Sequence, residues 1–146
     1  MDLSIYLRAQ DENDNDYKKA LSEIRTGRKS SCWIWYVFPI LNIKELLVDF
    51  YSSYFAFECL YDAFEYFDHS VLRERLIEIT SALLALDTQI VKIMGSEIDK
   101  MKLWSCVTLF HYVSPESFVF IDVINKFFDG KMHGPTISKI QEEDCQ

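Results

Sequence analysis

Glycine and proline are scarce in this sequence, with four and three residues among 146. Because both residues interrupt helices and dominate turns, their scarcity argues against a sandwich or barrel of many short strands and favours long helices. The sequence contains no run of 18 apolar residues, and its N-terminus has no basic segment followed by an apolar one. It therefore predicts neither a membrane span nor a cleavable signal peptide, and leaves signal-independent export open.

Closely spaced cysteines are also missing. The four cysteines are Cys32, Cys59, Cys106 and Cys145. Their separation excludes a Cys-x-x-Cys zinc or redox motif, and the three histidines lie outside any metal-binding spacing. We therefore expect free structural thiols in the reducing cytoplasm, with no metal and no cofactor.

Positive charge is restricted to one short segment. The chain carries a net charge of −8, but residues 18–29 contain five basic residues and a single acid, Glu23. Duplex nucleic acid requires a broad basic face that neutralises several phosphates, so we expect no duplex binding. A small anionic ligand is compatible with such a patch.

The apolar pattern predicts a mainly α-helical protein: a compact, irregular, single-domain helical bundle with little or no sheet. We expect the globular domain to cover residues 1–140 and an acidic frayed tail to cover 141–146. Residues 32–41 are apolar and rich in β-branched and aromatic residues, which predicts an extended buried segment. Helices are expected near 4–10, 15–26, 44–67, 71–86, 88–94, 101–112 and 116–128.

The first candidate site combines the basic segment with nearby tryptophans. A glycine turn with cations and hydroxyls can hold a phosphate through main-chain N–H groups and a guanidinium group. Trp33 and Trp35, two residues apart in an extended segment, would point the same way and could stack on a planar ligand. The hypothesis is a pocket for a small anionic, nucleotide-like ligand of the ADP-ribose type, with turnover left open. Its residues are Arg25, Gly27, Arg28, Lys29, Trp33 and Trp35, with Lys102, Ser105, Thr108 and His133 opposite.

Each part of this pocket also has a purely structural interpretation. The basic residues can complement the dipole at a helix C-terminus, and both tryptophans can pack in the core. Asp99 can cap its helix and pair with Lys102, which is the interpretation we favour for that pair.

The second candidate site is the segment 45–68, which contains six acids, no base and nine aromatic residues. Exposed aromatics ringed by carboxylates are typical of protein–protein hot spots. The alternative function is therefore an interaction or inhibitor module for a basic protein partner. The expected contact residues are Glu58, Tyr61, Asp62 and Glu65.

Several sequence blocks together resemble one family pattern. The most specific block is Gly27-Arg28-Lys29 followed by Trp33-x-Trp35-x-x-Phe38-Pro39; supporting blocks are Ala9-Gln10-Asp11, Tyr66-Phe67-Asp68-His69, Lys102-Leu103 and Thr108-Leu109-Phe110. Over about residues 5–137 the chain is similar to the uncharacterised domain-of-unknown-function family 1810, whose members are sometimes mislabelled as calpastatin-like. The resemblance implies a compact α-helical fold and brings no established activity.

The chain departs from the family pattern at three positions. Cys32 stands where the family has His, Ile40 where it has Gln, and His133 where it has Asp. We expect that any family chemistry at these positions is lost or altered. Because the neighbouring run is apolar, we predict that Cys32 is an unreactive packing residue and that a ligand is held without turnover.

Overall fold

The computed structural model describes residues 1–144 and contains ten α-helices in this range, with no strand. This confirms the all-helical fold class. The helices are α1 Ser4–Glu12, α2 Tyr17–Thr26, α3 Ile34–Val37, α4 Phe50–Phe55, α5 Leu60–Asp68, α6 Ser70–Leu83, α7 Ile90–Met94, α8 Glu97–Val113, α9 Val119–Phe127 and α10 Gly134–Asp144.

Helix α8 is the centre of the bundle. It packs against α5, α7, α9 and α10, and its residues from Lys102 to Phe110 are buried apart from Trp104. A helix that is buried on all sides needs apolar residues around its whole circumference, which is why this segment has no polar outer face. No helix in residues 1–144 is long and apolar enough to cross a membrane.

The segment expected to be one helix over 44–67 is three separate pieces, so that prediction is wrong. A 3-10 turn at Lys44–Leu46 is followed by α4 and α5. Asp49 starts α4 because its side chain accepts a hydrogen bond from the Ser52 N–H at 2.7 Å. Between α4 and α5 the chain is extended, since the Phe57 N–H donates to the Ile40 carbonyl at 2.8 Å. Tertiary pairing thus overrides local helix propensity here.

Two other expectations need correction. Residues 32–41 are not extended throughout, because Ile34–Val37 form the helical turn α3. Residues 141–144, expected in a frayed tail, continue α10, where the Glu143 side chain accepts a hydrogen bond from the Leu60 N–H. Cys145 and Gln146 lie outside the described residues.

Candidate functional site

The basic loop after α2 is organised by the single acid of its segment. Gly27 ends α2 in the left-handed region at φ +92°, a conformation that favours glycine. The Glu23 carboxylate accepts hydrogen bonds from Ser30 N at 2.8 Å, from Ser31 N at 3.0 Å and Oγ at 2.6 Å, and from Trp33 Nε1 at 2.9 Å. The main-chain N–H groups expected to cradle an anion are therefore occupied by this chain's own carboxylate.

These hydrogen bonds also fix the ionisation of Glu23. Partial burial by itself would raise the pKa of this carboxyl, but the donors on Ser31, Ser30 and Trp33 lower its pKa to about 2. The carboxylate is thus charged at neutral pH, and it reduces the positive potential of the loop.

Lys29 has an internal partner as well. Its ammonium lies 2.8 Å from an Asp99 carboxylate oxygen and 5.1 Å from the centre of the Trp33 ring. Asp99 therefore pairs with Lys29 rather than with Lys102 as favoured from the sequence, and Ser96, not Asp99, caps α8. The pair ties the loop to the start of α8.

Trp33 and Trp35 do not point the same way, which overturns one element of the expected pocket. Trp33 is 0% exposed and belongs to the core, so it cannot stack on a ligand. Trp35 is partly exposed. The reason is the helical turn α3: two helical residues are separated by about 200° around the axis, whereas two strand residues share a face.

Arg28 and Gly27 remain available and line a groove of about 480 Å³. We call this the Gly27 groove; its other lining residues are Thr88, Val91, Lys92 and Gly95. Neither the Arg28 nor the Lys92 side chain has an ion-pair or hydrogen-bond partner among the residues that the structure describes, and both are exposed. Arg25 is exposed and lies 3.9 Å from Glu78, outside the groove lining.

Lys102 lies in the interior rather than opposite the basic loop. It is 4% exposed, and its ammonium donates to Ser52 Oγ at 2.8 Å. Burial lowers the pKa of Lys102, with partial opposition from the carboxylates of Asp49 and Asp99. This arrangement ties α8 to α4 and leaves the ammonium inaccessible to a ligand in the Gly27 groove.

Ser105, Thr108 and His133 join a second buried network through Thr136, whose role the sequence analysis missed. Thr136 Oγ1 lies 2.6 Å from Ser105 Oγ and 2.7 Å from His133 Nδ1, while the His133 N–H donates to Thr108 Oγ1 at 3.0 Å. Burial lowers the pKa of His133 although Glu45 opposes the shift. The loop that carries His133 is therefore anchored to α8 and to Thr136. A Thr three residues after the His was the available signal.

The acidic residues of the second candidate site flank one exposed tyrosine. Tyr61 is 68% exposed on α5, Glu58 is exposed, and Asp62 and Glu65 are half-buried. The Asp62 carboxylate accepts from the Glu58 N–H at 3.2 Å, and Glu65 lies 3.9 Å from the N-terminal amine. Glu65 lies four residues after Tyr61 on α5, so these two side chains share one face of the helix.

Four other aromatic residues of this segment line a cleft of about 350 Å³, which we call the aromatic cup. It is built mainly by α3 and α4, and no residue of α5 is among its lining residues. Its lining residues are Asn13, Asn15, Cys32, Trp35, Tyr36, Phe50, Tyr51, Tyr54 and Phe55. Among the described residues, no group of three or more His, Cys, Asp or Glu side chains could hold a metal ion.

Comparison with known proteins places the chain in a family. The sequence model of the family described as "Protein of unknown function (DUF1810)" matches residues 1–140. This chain belongs to that family. The crystal structure of the conserved hypothetical protein Rv1873 from Mycobacterium tuberculosis is similar, with a TM-score of 0.84, 27% sequence identity and 94% of each chain covered. No curated protein matches this chain.

The three positions predicted to depart from the family pattern occupy different environments. Cys32 is exposed at the aromatic cup, so the expected packing role is wrong; its reactivity stays a prediction. Ile40 is buried, and its carbonyl accepts the hydrogen bond from Phe57. His133 belongs to the network around Thr136. In this DUF1810 member the altered positions therefore do not line the Gly27 groove.

Proposed function

We propose that this DUF1810 protein binds a small anionic, nucleotide-like ligand in the Gly27 groove. The supporting observation is the pair of exposed cations, Arg28 and Lys92, that line the groove without an ionic partner among the described residues. Both cations line the same groove although the chain carries a net charge of −8, so the groove offers an anion a local positive site. Arg28 can hold a phosphate or carboxylate with two parallel hydrogen bonds.

An adjacent groove supports a ligand longer than a phosphate. It has a volume of about 510 Å³ and shares Thr88 and Val91 with the Gly27 groove. Its walls include the apolar residues Ile90 and Phe127 and the carboxylate of Asp87. Lys126 lies at its rim, with its ammonium 5.4 Å from the Phe127 ring centre. A phosphate beside Arg28 and a flat group against Phe127 would match the two halves of a nucleotide or an ADP-ribose-type compound.

We propose binding without turnover. The six lining residues of the Gly27 groove include no His, Cys, Asp or Glu, so none of them is suited to move a proton near neutral pH. The interior residues of the original pocket, Lys102, Ser105, Thr108 and His133, are buried and do not line the groove.

Calorimetric titration with ADP and ADP-ribose tests the proposal. Loss of a charge-assisted hydrogen bond costs about 1.5–3 kcal/mol, so Arg28→Ala is expected to weaken binding by about tenfold or more. Lys18→Ala is the matched control, because Lys18 is an exposed, unpaired cation of the same segment outside the groove. Chromatography of the recovered ligand is expected to find it intact. Absence of saturable binding, or equal losses from the two substitutions, contradicts the proposal.

A second function, capture of a basic protein partner by the acidic surface of α5, is favoured by the exposure of Tyr61. An aromatic ring surrounded by Glu58, Asp62 and Glu65 suits a basic segment with an apolar side chain. The probe is a ten-residue oligolysine peptide with one central phenylalanine. The triple variant Glu58→Lys, Asp62→Lys, Glu65→Lys is expected to abolish its binding, and Asp87→Lys, Glu97→Lys, Glu142→Lys is the control of equal charge. Equal effects of the two variants would show only net-charge attraction and reject this surface.

A further inference from the structure

The geometry points to a binding site for a small organic cation with a methylated ammonium group in the aromatic cup. This inference is independent of the Gly27 groove and concerns α3, α4 and the segment after α1. It depends on three properties of the cup: a closed circuit of aromatic rings, an exposed rim above a fixed floor, and a lining that contains no charged residue.

The six aromatic rings of the cup form a closed circuit. Going around it, the ring centres are separated by 5.0 Å for Trp35–Tyr51, 5.5 Å for Tyr51–Phe50, 5.8 Å for Phe50–Tyr54, 4.9 Å for Tyr54–Phe55, 5.3 Å for Phe55–Tyr36 and 6.3 Å for Tyr36–Trp35. Each ring therefore contacts two neighbours, and all six line the same cleft. A circuit of this kind surrounds a bounded cup rather than an open channel, which favours a small molecule over a chain segment.

The floor of the cup is fixed by hydrogen bonds. The Tyr36 hydroxyl donates to the Asn15 carbonyl at 2.5 Å, and Gln10 donates to the Tyr36 carbonyl at 2.8 Å. The Tyr6 hydroxyl donates to the Phe55 carbonyl at 2.6 Å. Tyr36 and Phe55 are both buried, so the floor is formed before any ligand arrives. A preformed site lowers the entropy cost of binding.

The rim rings, in contrast, lie in solvent. Phe50 is 72% exposed, and at least half of the surface of Tyr51 and Tyr54 is exposed as well. Clustered exposed apolar rings mark interaction sites in soluble proteins, whereas isolated ones need no explanation. The rim rings are therefore available to a ligand that reaches the cup.

The lining of the cup is neutral, since none of its nine residues is charged. Asp49 directly precedes Phe50 in the chain. One cation is close: the Lys19 ammonium, which is bound to Asn15 Oδ1 at 3.1 Å.

Aromatic ring faces attract cations, and quaternary ammonium groups are the ligands typically held by several rings at once. A methylated ammonium combines positive charge with an apolar surface, so it suits rings that provide no hydrogen-bond acceptor at their faces.

The test is a titration of the intact protein with choline and with its neutral carbon isostere, 3,3-dimethylbutan-1-ol. The two ligands have the same shape, so their difference measures the charge. We expect choline to bind about five- to thirtyfold more tightly. Equal affinity would identify a merely hydrophobic cleft, and absence of saturable choline binding would also overturn the proposal.

Paired substitutions locate the binding. Tyr51→Ala, at the rim, is expected to weaken choline binding about fivefold or more. Phe118→Ala is the control, since Phe118 is an exposed aromatic residue, at 69%, that lies outside the cup. An unchanged affinity in Tyr51→Ala would contradict the assignment.

A peptide containing trimethyl-lysine tests whether the methylated ammonium group belongs to a small molecule or to a modified protein. Binding of free choline at least as tight as that of the peptide supports a small-molecule ligand. Binding of the peptide alone would overturn the small-molecule form of the proposal.

Discussion

The basic loop after α2 and the aromatic cup around α4 differ in whether their functional groups have partners within the chain. In the loop, the Glu23 carboxylate accepts the main-chain hydrogen bonds and Asp99 forms an ion pair with Lys29. Most of the groups that could bind an anion therefore stabilise the fold instead. In the cup, Phe50 and Tyr51 remain exposed although apolar rings are the groups that folding usually buries. The comparison shows that a residue's partners within the chain, rather than its type, decide whether a ligand can bind to it.

The largest expected effect separates the two tryptophans. Trp33→Ala removes a fully buried ring and one donor to Glu23, so it is expected to lower the free energy of unfolding by about 3–5 kcal/mol. Trp35→Ala, at the cup, is expected to cost less, about 2 kcal/mol, because its side chain is only partly buried. Urea denaturation measures both, and Trp33→Phe provides a folded variant if Trp33→Ala is too unstable. Equal losses at the two positions would contradict the assignment of Trp33 to the core.

A smaller effect is expected when the loop loses its carboxylate. Glu23→Gln is expected to cost about 2 kcal/mol at pH 7, because charge-assisted hydrogen bonds from several donors are replaced by neutral ones. Glu74→Gln is the control, since Glu74 is exposed and has no partner among the described residues.

The same variant has a pH signature. The pKa of Glu23 is lower in the folded chain than its ordinary value of 4.5, so the stabilisation is present above about pH 4.5 and is lost as the pH falls towards 2. The stability difference between the wild type and Glu23→Gln should therefore shrink over this window. A difference that does not change between pH 7 and pH 3 would show that the contribution of Glu23 is not electrostatic.

The smallest effect is expected at the rim of the cup. Phe50→Ser should change the free energy of unfolding by less than about 0.5 kcal/mol, because the ring is mostly in solvent. Chemical denaturation measures this change, and the buried Phe57→Ser serves as the contrasting variant. A loss of more than about 1 kcal/mol from Phe50→Ser would mean that the rim ring stabilises the fold, and it would weaken the case for a ligand site.

Much of the fold could be predicted from the sequence, because its signals are local. Gly27 ends α2 and Gly95 ends α7, and both adopt the left-handed conformation that is common at helix C-termini. The breaks around α4 could not be predicted, because the extended backbone at Phe57 depends on a partner 17 residues earlier in the chain, Ile40. Helix α10 was missed because its polar sequence and initial glycine and proline lack a clear apolar stripe.

The candidate site was predictable only in part. The sequence located Gly27 and Arg28, but Lys92 joins them through the fold and has no local motif. The occupation of the loop donors by Glu23 also depends on geometry, although the single acid among five bases was a usable signal. The aromatic excess of residues 45–68 was evident, whereas the ring circuit requires Trp35 and Tyr36 from a different segment.

An amide-resolved NMR titration with ADP tests most directly whether the available anion-binding chemistry lies in the Gly27 groove rather than in the loop. The account predicts that the amide signals of Arg28, Lys92 and Gly95 shift. Those of Ser30 and Ser31 should not shift, because their N–H groups stay hydrogen-bonded to the Glu23 carboxylate. The largest shifts at Ser30 and Ser31 would show that the ligand displaces the Glu23 carboxylate, and an unchanged spectrum would show that the groove does not bind the nucleotide. Either result would contradict the account.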